Sequence, residues 1–141
     1  MSINRYKYTE INIGLTHNFT VVIDEKLQQA FCNLSGDINP LHLNSKFAES
    51  KKFKGRVVYG MLLSSFFSRL VGVYLPGENC LFHSIDIKFI KPVYIGDKID
   101  VEGIVVEKED TFKQLKIKAT IRNSSGENVS KAIIKVGVLD E

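Results

Sequence analysis

Residues Gly60–Tyr74 carry a helical pattern that is apolar on almost every side. Met61, Leu62, Leu63, Phe66, Phe67, Leu70, Val71 and Val73 cover most of its circumference, and a helix of that kind is stable only when other structure surrounds it. Ser64, Ser65 and Ser68 are the exceptions, gathered on one side by their i+3 and i+4 spacing. Pro76-Gly77 stops the helix, and the period then changes from helical to two. Leu81, His83, Ile85, Ile87 and Phe89 alternate with Phe82, Ser84, Asp86, Lys88 and Ile90. Ile99–Val106 follows the turn Ile95-Gly96-Asp97, and Leu115, Ile117, Ala119 and Ile121 alternate with polar residues within Phe112–Arg122. Val129–Val138 comes after Ser124-Ser125-Gly126. Strands joined by short turns predict an antiparallel sheet. A helix apolar all round is buried beside one sheet only if the sheet curls about it. The expected fold is α+β: a single domain over residues 1–141, with an antiparallel sheet wrapped around a long central helix.

The part before this helix reads as a strand, a helix and a loop. Phe19–Ile23 is β-prone. Asp24 caps a helix that carries Glu25 in its first turn and places Leu27, Ala30, Phe31 and Leu34 at helical spacing. Ser35-Gly36 ends it, and Asn39-Pro40 prevents its continuation. A polar loop with a short helical piece runs to Gly55. With 141 residues, 44% of them hydrophobic and 25% charged, the chain can bury its own core. No run approaches the roughly 18 apolar residues of a membrane span, and Met1–Glu10 is polar, without a secretory pattern. The expectation is a cytoplasmic protein with no membrane partner. Lys and Arg number 19 against 16 Asp and Glu, with the signs mixed along the chain, which argues against a nucleic-acid partner. Cys32 and Cys80 are far apart and lack metal-ligand spacing, so reduced thiols and no metal are expected.

Two features carry chemistry. Lys51-Lys52-Phe53-Lys54-Gly55-Arg56 is a basic cluster. It is either a solvated loop or, through Lys52, Lys54 and Arg56, a contact for a phosphate-bearing ligand. Asp37 and His42 lie five residues apart across a helix-breaking Asn39-Pro40. A rigid turn of this kind can aim a carboxylate and an imidazole at one point, as an acid–base pair requires. The plain alternative is a turn-capping aspartate and a structurally satisfied histidine.

The longer string decides between them. Phe31-Cys32-Asn33-Leu34-Ser35-Gly36-Asp37-Ile38-Asn39-Pro40-Leu41-His42, with Ala48 six residues on, resembles the signature of the MaoC-like (R)-specific enoyl-CoA hydratases, a family of the hot-dog fold. Val57–Ser65 is similar to the start of that family's central helix and Leu75-Pro76-Gly77 to its end. Phe89-Ile90-Lys91-Pro92-Val93 with Gly96-Asp97 is similar to the strand and turn that follow. The likeness runs from about Phe19 to Val138. It implies reversible addition of water to a trans-2-enoyl-CoA thioester, giving the (R)-3-hydroxyacyl thioester, with no cofactor.

In the resemblance, Asp37 and His42 activate the water, and Gly60 offers its N–H to the thioester oxygen at a helix N-terminus. Ser68 supports the aspartate, and Asn39 has a supporting place in the loop. Tyr59 stands where many members have histidine, which bears on pocket shape and substrate preference. Phe66, Phe67 and Leu70 are candidates for lining an acyl tunnel. The strand near Cys80–Ile90 is expected at the sheet edge, paired with its copy in a homodimer. His83 reads as a core or interface residue, and His17 has no assignment. Competing readings are a dehydratase of acyl-carrier-protein thioesters, a thioesterase, and a non-catalytic acyl-thioester-binding domain.

Overall fold

The apolar helix is the axis of the molecule. The computed structural model describes residues 2–140. A single 3₁₀ turn at Tyr8–Glu10 precedes β1 (Thr16–Val22), α1 (Glu25–Ser35), α2 (Pro40–Leu43) and α3 (Ser45–Ser50). The axial helix α4 covers Gly60–Arg69 and widens into a π-helical stretch over Leu70–Tyr74. Then come β2 (Cys80–Phe89), β3 (Lys98–Glu109), β4 (Gln114–Arg122) and β5 (Asn128–Val138). The strands form one sheet in the order β1-β3-β4-β5-β2, every neighbour antiparallel. The expected α+β architecture, an antiparallel sheet about a central helix, is the one observed.

Alternation along the inner strands supplies the core. Ile99, Val101 and Val105 of β3, Leu115, Ile117 and Ile121 of β4, and Ile134 and Val136 of β5 are buried. Leu62, Leu63, Phe67, Leu70 and Val71 of α4 belong to the same apolar cluster. Each large side chain so buried is worth about 1.5–3 kcal/mol. Helix and sheet approach closely at Gly103, where a Cβ would stand 2.8 Å from Leu70 Cδ2.

Local caps behave as their residues require. The Asp24 side chain accepts from Leu27 N and starts α1, and Gly36 ends it in the left-handed conformation, at φ +72°. Asn39-Pro40, beyond the end of α1, begins α2, with Asn39 capping and Pro40 in the first turn, where its missing N–H costs nothing.

Two expectations are corrected. α4 is not buried all round: Met61 is 59% exposed, and Ser65 and Ser68 share its exposed stripe, because sheet and loops leave that side uncovered. Ser64 is buried and donates to Gly60 O. The buried face of α1 is turned from the apolar spacing. Gln28 and Cys32 are buried and Leu27 and Phe31 half-buried against the apolar cluster, while Ala30 is exposed and Leu34 is 84% exposed, since the inward side of α1 meets His42, Val57 and Tyr59. β2 is the edge strand that was expected, and it is exposed along nearly its whole length. Its register breaks between Phe82 and Ser84. His83 therefore leaves the core, is exposed, and shares a 2.9 Å hydrogen bond with Gln114.

His17 has a structural place. It hydrogen-bonds the Tyr6 hydroxyl and stacks on Tyr74, and partial burial lowers its pKa. Cys32 and Cys80 are free thiols, and burial pushes Cys80 up to about 11.

The chain before β1 is tied to the end of α4. Asn4 N donates to Val73 O, its amide to Tyr74 O, and its carbonyl accepts from Glu78 N. Gly77 makes this possible: it sits at φ +89°, and a Cβ there would lie 2.0 Å from Asn4 O. Gly77→Ala is expected to cost about 2 kcal/mol or more, seen as a fall in Tm of at least about 5 °C. A Tm within about a degree of the parent would contradict this account of the junction.

Candidate active site

The loop after α1 is built from short-range hydrogen bonds. Ser35 Oγ donates to Phe31 O and accepts from Asp37 N. One Asp37 carboxylate oxygen accepts from Asn39 N at 3.1 Å, and the Asn39 side chain accepts from Leu41 N at 2.9 Å. These small rings turn the chain sharply and leave the Asp37 side chain exposed. His42 N then donates to Asn39 O, starting the single turn of α2.

His42 is held from several sides. Its carbonyl accepts from Arg56 Nε at 2.8 Å and from Gln28 Nε2 at 3.2 Å. Its Nδ1 lies 2.7 Å from Val57 O. A carbonyl can only accept, so Nδ1 carries the proton and Nε2 of the neutral ring is left as a free base. Val57 O also takes a hydrogen bond from Gln28 Nε2, and Gln28 Oε1 accepts from Tyr59 N. Gln28 is fully buried, so its amide joins α1, the histidine and the entrance to α4. The Tyr59 ring stacks on His42, with centroids 4.0 Å apart. The Tyr59 hydroxyl donates to Asp37 O. Burial pushes this phenol up to about 12. The Cys32 thiol beside it and the Asp37 charge act in the same direction and Arg56 opposes them, so it remains a neutral donor.

Tyr59 gives α4 no side-chain cap, so the first-turn N–H groups at Gly60 are free to face a ligand. His42 and Gly60 share the wall of a pocket of about 410 Å³, together with Phe53, Val57, Val58, Leu63, Phe89, Ile90, Lys91, Pro92, Val93 and Val129. A Cβ on Gly60 would meet the Phe89 ring at 2.8 Å. Lys91 and Pro92 also border a second cleft, of about 750 Å³, whose walls include Lys54, Arg56, Tyr94, Asn123, Ser124 and Ser125. The arrangement offers an imidazole oriented through Nδ1, uncapped helix N–H groups and a largely apolar pocket, the ingredients of proton transfer next to a polarised carbonyl.

The structure brings some of the sequence-derived candidates together and separates others. His42 and Gly60 line one pocket, and Asp37 is linked to them through Tyr59. Tyr59 itself is 1% exposed and lines neither cavity. Phe67 and Leu70 lie in the core, and Phe66 packs edge-on against Phe19. Ser68 is exposed, and among the described residues no hydrogen bond joins it to Asp37. Lys54 and Arg56 border the second cleft, but Arg56 is engaged by Glu25, at 2.9 Å, as well as by His42. Lys52 is exposed at φ +70° and borders neither. Gln28 was not singled out by the sequence reading. The available signal was a glutamine four residues before Cys32, on a helix whose apolar stripe is weak.

No helix among the described residues is long and apolar enough to cross a membrane. The family model for the MaoC like domain matches residues 8–127. An (R)-specific enoyl-CoA hydratase of Rhodospirillum rubrum is 35% identical over 106 residues, covering 72% of this chain and 74% of that protein. The protein of the same name from Aeromonas caviae is 44% identical over 73 residues, covering 52% of this chain and 54% of its own length. Among solved structures, the unliganded R-hydratase of Pseudomonas aeruginosa superposes with a TM-score of 0.91 at 29% identity, covering 99% of this chain and 89% of its own.

Gln28→Leu keeps the buried volume and removes the amide. Val57 O and His42 O each retain one donor, while Tyr59 N is orphaned. The expected cost is about 1–3 kcal/mol by thermal or denaturant unfolding. A change below about 0.5 kcal/mol would show that the network does not hold the site.

Proposed function

Because this chain belongs to the MaoC-like domain family of hydratases and dehydratases, we propose that it is an (R)-specific enoyl-CoA hydratase. The observation that carries the reading is the His42 Nδ1 hydrogen bond to Val57 O, which leaves Nε2 basic at a pocket shared with Gly60. Asp37 and His42 hold the water. As its oxygen bonds to C3 of a trans-2-enoyl thioester, the pair takes one proton from it and delivers one to C2. Water is thus added across the double bond with nothing left over. The negative charge that gathers on the thioester oxygen is received by Gly60 N–H and the positive end of α4. The acyl chain occupies the apolar pocket. The carrier arm passes Lys91 and Pro92 into the second cleft, where Lys54 has no salt bridge among the described residues and meets phosphate.

The functional unit is a homodimer. The exposed edge strand β2 presents Phe82, Ile85 and Phe89 on one face, Leu81 on the other, and unpaired backbone along its edge, which a second copy covers. Sedimentation is expected to give twice the chain mass, and Ile85→Asp to give single chains. An active wild-type monomer would refute the dimer.

The chemistry is tested with crotonyl-CoA, by loss of the enoyl-thioester absorbance and chiral analysis of the product. Asp37→Asn and His42→Ala are each expected to lower kcat by at least roughly 10²-fold with the fold intact. Near-normal turnover in either would remove that residue from the site. In the same assay Lys54→Glu is expected to raise KM several-fold at unchanged kcat. Turnover only of carrier-protein thioesters would assign the dehydratase instead.

A further inference from the structure

We infer that Tyr59 is a positioning residue that fixes Asp37 and His42 relative to one another, an inference that rests on these two residues carrying the reaction. Its ring is 1% exposed and borders neither cavity, so it is not a substrate contact. One contact is the stack on His42, at 4.0 Å and an interplanar angle of 29°. Phe31 packs at 4.9 Å. The hydroxyl reaches past both rings to Asp37 O, 2.5 Å away, and is the only partner of that carbonyl among the described residues. The backbone is held as well: Tyr59 N donates to Gln28, and Tyr59 O accepts from Leu63 N in the first turn of α4.

One residue therefore joins the aspartate loop, the histidine and the helix whose first residue, Gly60, lines the pocket. The hydroxyl bond ties an exposed loop residue, Asp37, to the core rather than joining two core groups. What the bond supplies is register. Without it, the loop carrying the carboxylate is free to shift against an imidazole that remains in place. Misplacement of a reacting group by about 1 Å can cost on the order of 10²-fold in rate.

Tyr59→Phe in the full-length protein separates the two contributions, since it keeps the stack and deletes the hydroxyl. With crotonyl-CoA, kcat is expected to fall about 10- to 100-fold, with KM within about twofold and Tm within a few degrees. Tyr59→Leu, which also loses the stack, is expected to fall further and to shift the ring resonances of His42, one of only three histidines to assign. Val101→Ala, a core truncation in β3, is the control: it lowers Tm and leaves kcat unchanged. Wild-type kcat in Tyr59→Phe overturns the inference, as does a loss of kcat in Val101→Ala that matches it. If the wild-type protein does not hydrate crotonyl-CoA, the hydratase reading fails separately. The amide resonances of Asp37–Asn39 then decide: displacement in Tyr59→Phe upholds the positioning role, and unchanged shifts overturn it.

Discussion

Burial of one apolar helix against one curled sheet is the constraint from which the rest follows. α4 can exist only with its Leu62, Leu63, Phe67 and Leu70 face covered. Covering it seats Leu70 against β3, where a Cβ on Gly103 would stand 2.8 Å from Leu70 Cδ2. This contact lies in the core, yet it bears on where the candidate site stands. Once the body of α4 is seated, its N-terminus is seated too, and Tyr59 and Gly60 occupy fixed positions beside the loop that carries His42.

The site is then built in polar currency inside an apolar setting. A buried amide is costly unless its partners are present, and Gln28 finds them in Val57 O, His42 O and Tyr59 N. An aliphatic side chain could fill the same space, but it could not tell the histidine carbonyl where to stand. Arg56 adds a second donor to that carbonyl while Glu25 balances its charge. Such a network is directional, whereas apolar packing is not. A reaction that needs one particular ring nitrogen unprotonated depends on that directionality, and the Val57 carbonyl enforces it on His42.

The same fold leaves surface unfinished. β2 has neighbours on one side only, and the Met61–Ser65–Ser68 stripe of α4 is open. A sheet edge with apolar side chains and free backbone groups is normally covered, which is why the proposed dimer belongs to the same physical argument as the core. Ser68 lies on that open stripe, and among the described residues no hydrogen bond joins it to Asp37.

Much of this molecule is legible in one dimension. The all-round apolar stretch at residues 60–74, the alternation in β3, β4 and β5, the Asp24 cap and the left-handed Gly36 depend on neighbours a few residues away, and local spacing records such forces. The string from Phe31 to His42 likewise shows its own turn, because its hydrogen bonds close within five residues. What the sequence could not show spans greater separations. Gln28 reaches His42 and Val57 across 14 and 29 residues, and Tyr59 reaches Asp37 across 22. Arg56 looked like a free cation until folding placed Glu25 and a carbonyl beside it. The face α1 buries and the inward burial of Tyr59 were likewise decided by tertiary packing. Hydrophobic period reports which side of an element is greasy, but the partners that meet a buried polar group are chosen only when distant segments come together.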